Sequence, residues 1–164
     1  MNLKDYIIDV PDWPAKGIIF KDITPLLKNA NALTHSTLMM RSLLDTSLGV
    51  NYIAGVESRG FIFGAHLAKR MGVGFIPIRK KGKLPPPVIS QEYELEYGTN
   101  TLEIKPGDAL DGKVVLVDDV YATGGTASAA RELLFQAGYN LVDEVYLINL
   151  SFLNNDNIKS VITY

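Results

Sequence analysis

The chain contains no cysteine, which removes a disulfide framework, a thiolate metal site and a cysteine nucleophile together and accords with a reducing compartment. A charge of one sign is missing too. Sixteen Lys and Arg stand against eighteen Asp and Glu, a net charge of -2. That balance takes away the electrostatic basis for general nucleic-acid or membrane-surface binding and confines any basic site to a local cluster. No apolar run approaches the ~18 residues of a membrane-spanning helix. Near the start, the apolar stretch Tyr6-Ile7-Ile8 is broken by Asp9, Pro11 and Asp12, leaving no hydrophobic region for a signal peptide. The expectation is a soluble cytoplasmic protein without nucleic-acid or membrane partners. No internal repeat occurs, and 164 residues is the usual size of one domain. A single domain, 1–164, is expected.

What is present reads as alternating strands and helices. Leu33, Met40, Leu44 and Leu48 recur at helical spacing before Gly49, which predicts a helix. Tyr52 to Val56 is a short apolar run, followed by Glu57-Ser58-Arg59-Gly60 and a helical stretch from Phe61 to Met71 that stops at Gly72. Phe75 to Ile78 is a second strand candidate. Lys113 to Val117 has the continuous β-branched character of a strand buried on both faces. A loop, a helix over Ala127 to Ala137, a stop at Gly138 and a strand from Val142 to Leu150 complete the series. Arg79 to Ser90, basic and rich in proline, reads as a long loop. The fold class expected is α/β: a mainly parallel central sheet flanked by helices, with ligands at the carboxyl ends of the strands.

Of those loops, the one after Val117 is the most distinctive: Asp118-Asp119-Val120-Tyr121-Ala122-Thr123-Gly124-Gly125-Thr126. Glycines let backbone amides close around an anion, a helix start adds roughly half a positive charge, and the hydroxyls of Thr123 and Thr126 can donate to phosphate oxygens. Asp118 and Asp119 beside it suit a ribose diol or a hydrated magnesium ion. A phosphorylated sugar fits both halves. Gly107 and Gly112-Lys113 have Walker A spacing, but Val114 follows instead of Ser or Thr and the element precedes a strand. No GxGxxG occurs, which excludes the dinucleotide fingerprint.

Four separated segments carry a family resemblance: Gly17-Ile18-Ile19-Phe20-Lys21-Asp22-Ile23-Thr24-Pro25-Leu26-Leu27; Gly55-Val56-Glu57-Ser58-Arg59-Gly60-Phe61-Ile62-Phe63-Gly64; Ile78 to Pro85 continuing to Glu94-Leu95-Glu96-Tyr97-Gly98; and Asp118 to Thr126. Together they resemble the adenine phosphoribosyltransferases, type I phosphoribosyltransferases, over the chain from its first twenty residues to about Leu150. The resemblance implies transfer of a 5-phosphoribosyl group from phosphoribosyl pyrophosphate to adenine, giving AMP and pyrophosphate, by a magnesium-dependent homodimer. A small hood over residues 1–30 and a flexible lid over 79–98 would complete the fold. Alternatives are a phosphoribosyltransferase for hypoxanthine, guanine or xanthine, or a non-catalytic sensor of nucleotide or sugar pyrophosphate. The hood and the Glu94 to Gly98 segment argue against the first, and retention of Arg59 and Glu96 against the second.

The resemblance also assigns roles. Phe20 would stack on adenine while the backbone of Ile19 and Lys21 reads its polar edge. Lys21 stands where arginine is common, so recognition survives if the contact is made by backbone alone. Glu57, Ser58 and Arg59 would form the pyrophosphate loop, with a cis peptide between Glu57 and Ser58. Arg79, Lys80, Lys81, Lys83 and Tyr97 would belong to the lid, where Pro86 replaces a usual glycine and would reduce mobility. Glu96 would exchange a proton with the purine, Arg59 would meet the leaving group, and Asp118, Asp119, Ala122, Thr123, Gly124, Gly125 and Thr126 would hold the ribose 5-phosphate. Magnesium would be held mainly by substrate, with Asp118 or Asp119 reaching it through water. On the residues alone, Ile18, Ile19 and Phe20 read as core, Arg59 and the basic run as solvated, and Glu96 as a surface charge.

Overall fold

The computed structural model describes residues 1–95, 98–107 and 112–164. The chain divides into two units, Met1–Met39 and Met40–Tyr164.

In the first unit, β1 (Ile8–Pro11) and β2 (Ile19–Asp22) form an antiparallel hairpin that sets Asp9 opposite Lys21 and Val10 opposite Phe20. Asp12 ties its connection by accepting from Gly17 N at 2.7 Å. Asp22 Oδ1 then takes Thr24 N at 2.9 Å and Thr24 Oγ1 at 2.6 Å, so the chain turns directly into α1 (Thr24–Lys28), with Pro25 in its first turn. Asn29 Oδ1 accepts Ala32 N at 3.0 Å and starts α2 (Ala30–Leu43). The helix expected through Leu48 therefore ends at Leu43. Asp45 takes both Ser47 N and Ser47 Oγ, and this local pairing converts Thr46–Leu48 into a separate 3-10 turn.

The second unit is built on a seven-stranded sheet. Its elements are β3 (Tyr52–Val56), α3 (Arg59–Met71), β4 (Gly74–Lys80), β5 (Ile89–Leu95), β6 (Gly98–Ile104), β7 (Lys113–Tyr121), α4 (Gly125–Gln136), β8 (Asn140–Asn149) and β9 (Ser160–Thr163). The order is β5-β6-β4-β3-β7-β8-β9. Pairing is parallel from β4 through β9 and antiparallel for β6 with β4 and β5. In β8, Val142 has no partner between the pairs Val114–Leu141 and Val115–Asp143, a bulge that re-aims the following residues.

The continuous apolar runs of β3 and β7 are explained by their central place, since Ile53, Ala54, Val114, Val115, Leu116 and Val117 are all without accessible surface. Ala54, Val56, Val114 and Leu116 pack with Ala129, Ala130, Leu133 and Leu134 of α4. Residues between them face the other way, where α3 comes so close that a Cβ on Gly64 would lie 3.4 Å from the Gly55 Cα. One helix thus covers each face. Burying each large aliphatic side chain contributes about 1.5–3 kcal/mol. Because β4, β3 and β7 run parallel, their carboxyl ends at Lys80, Val56 and Tyr121 lie on one edge of the sheet.

Two further boundaries differ from the sequence expectation. The strand expected to stop at Val117 continues to Tyr121, so Asp118 and Asp119 sit on the strand itself, held by pairing with β8. Arg79 to Ser90 is not wholly a loop either. Arg79 and Lys80 finish β4, and Ile89 begins a strand of polar composition that pairs along its length with β6, so among the described residues of 79–98 those from Lys81 to Val88 are the ones outside strands.

Candidate active site

The carboxyl end of β3 runs into Glu57–Ser58, whose peptide bond is cis, as the resemblance implied. Ser58 then precedes α3 without capping it through its side chain, and Arg59 is the first helical residue. Glu57 turns back toward the sheet. Its Oε2 accepts Lys80 N at 3.0 Å and lies 3.2 Å from Arg79 Nε. Burial pushes the Glu57 carboxyl up, but the Lys80 amide and the Arg79 guanidinium outweigh it and hold the group below its usual range. Arg79 also donates from Nη1 to Lys83 O at 2.9 Å. Of the expected lid cations, Arg79 is therefore tethered, whereas Lys80, Lys81 and Lys83 are exposed. Gly82 N donates to the buried Glu103 at 2.9 Å, fixing the turn that carries them.

Arg59 reaches across to the neighbouring strand, where its Nε lies 2.7 Å from Asp119 Oδ2. The contact is an ion pair without hydrogen-bond alignment, and Asp119 Oδ2 has no hydrogen-bond partner although it is buried. Burial raises the Asp119 carboxyl and Arg59 opposes that rise. Asp118 is driven well above the ordinary range, first by burial and then by the charge of Asp119; its Oδ1 accepts the Asp119 amide at 2.8 Å. Two adjacent carboxylates thus stand beside one guanidinium, which pairs with Asp119 and acts on Asp118 through its charge alone. Their crowding depends on Gly60: a Cβ there would lie 2.6 Å from Asp118 Oδ1 and 3.2 Å from both Asp118 Cα and Val117 O. Desolvated carboxylates with lone pairs to spare are strong acceptors for hydroxyl donors.

Beyond Tyr121, the chain passes Ala122 and Thr123 to Gly124, whose φ of 87° places it in the left-handed region at the start of α4. No side chain caps this helix. The first internal bond runs from Ser128 N to Gly124 O at 2.8 Å, so the amides of Gly125, Thr126 and Ala127 precede the internal ladder, as an anion site requires. Thr123 is exposed and Thr126 half-buried. A Cβ on Gly125 would stand 3.2 Å from Glu94 O, so β5 lies over the helix start. Glu96 and Tyr97 fall outside the described residues.

Among the described residues, no three or more His, Cys, Asp or Glu gather around a common metal position. One or two carboxylates beside a phosphate cradle, one oxygen lacking a hydrogen bond, is the donor set that suits magnesium carried by a polyphosphate and still partly hydrated. Those residues fit the ion.

In the first unit, Ile19 is 52 % exposed, so it is not core, and Phe20 is half-buried. Trp13 meets the Phe20 ring edge-on at 4.4 Å, a neighbour that no sequence signal had indicated. Lys21 is buried, and its Nζ lies 2.7 Å from Asp9 Oδ1 on the facing strand. The side chain that departs from the family pattern is thus engaged with Asp9.

Sequence reasoning also missed a polar layer beneath the Ala122–Thr126 loop. Tyr121 donates to Asp156 Oδ2 at 2.5 Å, Asn154 Nδ2 donates to Ala122 O at 2.8 Å, and Arg131 makes a two-pronged contact with Glu144 at 2.8 and 2.6 Å.

Residues 22–149 match the phosphoribosyl transferase domain family. An adenine phosphoribosyltransferase of Bdellovibrio bacteriovorus is 50 % identical, with all of both chains covered. The structure of the Thermoanaerobacter pseudethanolicus enzyme of that name superposes with a TM-score of 0.91 at 46 % identity, covering 99 % of this chain and 98 % of that one. The Saccharomyces cerevisiae enzyme, solved with adenine and an imino-altritol bisphosphate, gives a TM-score of 0.88 at 36 % identity, covering 98 % and 95 %. With these matches extending over nearly its whole length, the chain belongs to the adenine phosphoribosyltransferases.

Proposed function

We propose that this chain, as an adenine phosphoribosyltransferase, joins adenine to the 5-phosphoribosyl group of phosphoribosyl pyrophosphate and releases AMP and pyrophosphate, a purine-salvage reaction. The observation that carries the reading is the juxtaposition on one strand end: adjacent carboxylates, of which the buried Asp119 pairs with Arg59, followed by the uncapped start of α4. A 5-phosphate at the amides of Gly125 and Thr126 leaves the ribose hydroxyls to meet Asp118 and Asp119.

In the reaction, the bond from C1 of ribose to the pyrophosphate oxygen breaks and a bond from C1 to N9 of adenine forms, with inversion from α to β. The base loses one proton. Glu96 is the proposed acceptor, a role that a desolvated carboxylate suits. Positive charge that develops on the ribose is stabilised by Asp118 and Asp119, while Arg59 and the exposed Lys80, Lys81 and Lys83 meet the departing pyrophosphate. Magnesium would be held mainly by the pyrophosphate, with Asp118 or Asp119 as the residues to reach it through water, and would supply neutralisation of the leaving group. Phe20 stacks on the base and the backbone of Ile19 and Lys21 reads its edge. A cytoplasmic setting suits a substrate whose charges do not cross membranes unaided. A homodimer is the expected assembly, supported by apolar side chains left on the surface such as Phe135 and Phe152.

A base-competition assay tests the reading. Purified protein, magnesium and phosphoribosyl pyrophosphate are offered adenine, hypoxanthine, guanine and xanthine separately. AMP from adenine alone is expected. Product from an oxopurine would overturn the base assignment, and tight binding of the sugar pyrophosphate with no product from any base would make the protein a sensor. Omission of magnesium and sedimentation analysis check the ion and the dimer.

A further inference from the structure

The segment after β8 adds more than an edge strand to the sheet. Asn154, half-buried, directs its amide nitrogen at three acceptors: Ala122 O at 2.8 Å, Leu150 O at 3.0 Å and Asn149 Oδ1 at 3.0 Å. Its Oδ1 accepts Asp156 N at 3.2 Å, which settles which end of the amide faces the carbonyls. Two residues on, Asp156 Oδ2 accepts the hydroxyl of Tyr121 at 2.5 Å. Tyr121 is buried, its ring lies edge-on against Tyr146 at 5.0 Å, and its hydroxyl sits where a Cβ on Gly124 would be 2.6 Å away. Both ends of Ala122–Gly124 are therefore gripped from below, one through a carbonyl and the other through a phenol packed against a glycine.

The peptide group gives this grip a direction. In a planar trans unit the carbonyl and the following N–H point to opposite sides. Once Asn154 holds Ala122 O, the Thr123 N–H is turned away from Asn154. A Gly124 fixed at φ 87° then delivers the amides that open α4. Without the grip, a loop of Ala-Thr-Gly-Gly has little of its own to choose one conformation.

We propose that Asn154 and Asp156 are positioning residues for phosphoribosyl transfer, clamping Ala122–Gly124 in the shape that receives the 5-phosphate. The proposal rests on the reading of Thr123–Thr126 as the phosphate cradle. It assigns a role to a stretch outside the four segments that carry the family resemblance. The clamp acts on binding of the phosphate end and leaves the base alone.

The test compares dissociation constants of AMP and adenosine, which differ by that phosphate, for the full chain, Asn154→Asp, Asp156→Ala and Thr126→Val. Asn154→Asp keeps the shape of the side chain but puts an acceptor against carbonyl oxygens. In the parent, AMP is expected to bind far more tightly than adenosine. Both clamp variants are expected to shrink the ratio of the adenosine to the AMP dissociation constant by about tenfold, the effect of one well-placed hydrogen bond. They should raise the KM for phosphoribosyl pyrophosphate by a similar factor, with the KM for adenine unchanged. Asp156→Asn, which keeps an acceptor for Tyr121, should recover most of the loss. If Asn154→Asp does not fold, Asn154→Ser replaces it. A ratio unchanged in the clamp variants but collapsed in Thr126→Val overturns the clamp and leaves the cradle standing. A ratio untouched by Thr126→Val removes the cradle, and the clamp with it. Equal weakening of AMP and adenosine would mean a merely structural role.

Discussion

Two ion pairs of the same length, 2.7 Å, occupy different regions of the molecule and are built the opposite way round. In the β1–β2 hairpin the cation is the buried partner: the Lys21 side chain is 7 % exposed and that of Asp9 54 %. At the end of β7 the carboxylate is buried, Asp119 at 7 %, with Arg59 at 30 %. The more exposed partner is the one that solvent or an incoming ion can reach. In the hairpin that is a carboxylate with nothing to catalyse, whereas in the site it is a guanidinium that an incoming anion can approach. Burial of the acid, not the length of the contact, is what makes the second pair a candidate for chemistry.

Removing the reachable partner breaks the comparison most severely. Arg59→Ala leaves Asp118 and Asp119 without their neighbouring cation and the leaving group without a donor. The kcat/KM for adenine should fall by about 10²–10³-fold, the cost of one preorganised donor aimed at developing charge. Thermal unfolding of the same variant should show a loss that grows with pH, because the unpaired acids ionise in the folded state only at cost. A variant with near-parental kcat/KM would return Arg59 to a purely structural part.

Next in size is Gly60→Ala. The added methyl would meet backbone at Val117 O and Asp118 Cα, both 3.2 Å from its ideal position, as well as the Asp118 carboxylate, so the strand cannot simply rotate a side chain aside. Overpacking of this kind costs about 1–3 kcal/mol, and here the strain falls on the acid pair itself. A fall in unfolding midpoint together with a rise in the KM for phosphoribosyl pyrophosphate is the expected outcome. Lost stability with unchanged KM would separate the carboxylates from sugar binding.

Asp118→Asn sharpens the same contrast through pH. The Asp118 carboxyl is raised in the folded state by burial and then by Asp119. Its favourable contribution is complete below the unfolded carboxyl pKa of about 3.9 and is lost as pH rises through the higher folded value. The neutral amide avoids that loss. Asp118→Asn should therefore unfold at a higher temperature than the parent at pH 8, with the gap closing as pH is lowered, while its affinity for phosphoribosyl pyrophosphate drops. Midpoints that stay parallel across the range would mean that burial and Asp119 do not raise the Asp118 carboxyl.

What could be read from the residues follows the distance over which each interaction acts. β3, α3, the core of β7 and α4 announce themselves by local periodicity, and the Gly-Gly turn by its place between a strand and a helix. Asp118 and Asp119 were recognisable as a pair, but the contact of Asp119 with Arg59 belongs to strand order: β3 and β7 are neighbours although 62 residues separate their partners in register. The grip of Asn154 on Ala122 and of Asp156 on Tyr121 spans 32 and 35 residues. A hydrogen bond to a carbonyl leaves no pattern in the sequence that receives it. Ile89–Leu95 was missed because Ser90, Gln91, Glu92 and Glu94 give it the composition of a loop, whereas pairing with β6 makes it an edge strand. At Lys21 the residue type alone left the mode of base reading open between backbone and side chain, and the hairpin register adds what the sequence did not show, setting that side chain opposite Asp9.

That register leads to the smallest expected effect. Lys21→Met keeps the aliphatic stem that fills the hairpin and removes only the ammonium, leaving Asp9 to the water that already reaches it. A pair with one partner half-exposed is worth about 0–1 kcal/mol, so unfolding should shift by no more than that and adenine KM by less than about fivefold. Lys21→Arg, which restores the residue common in the family, should change adenine KM no more than Lys21→Met does. The pair of variants decides how the base is read. Small, equal effects fit recognition through the Ile19 and Lys21 backbone. A rise in adenine KM beyond tenfold in Lys21→Met, rescued by Lys21→Arg, would put a cation in contact with the base and make the hairpin pair as exchangeable as the one at Arg59.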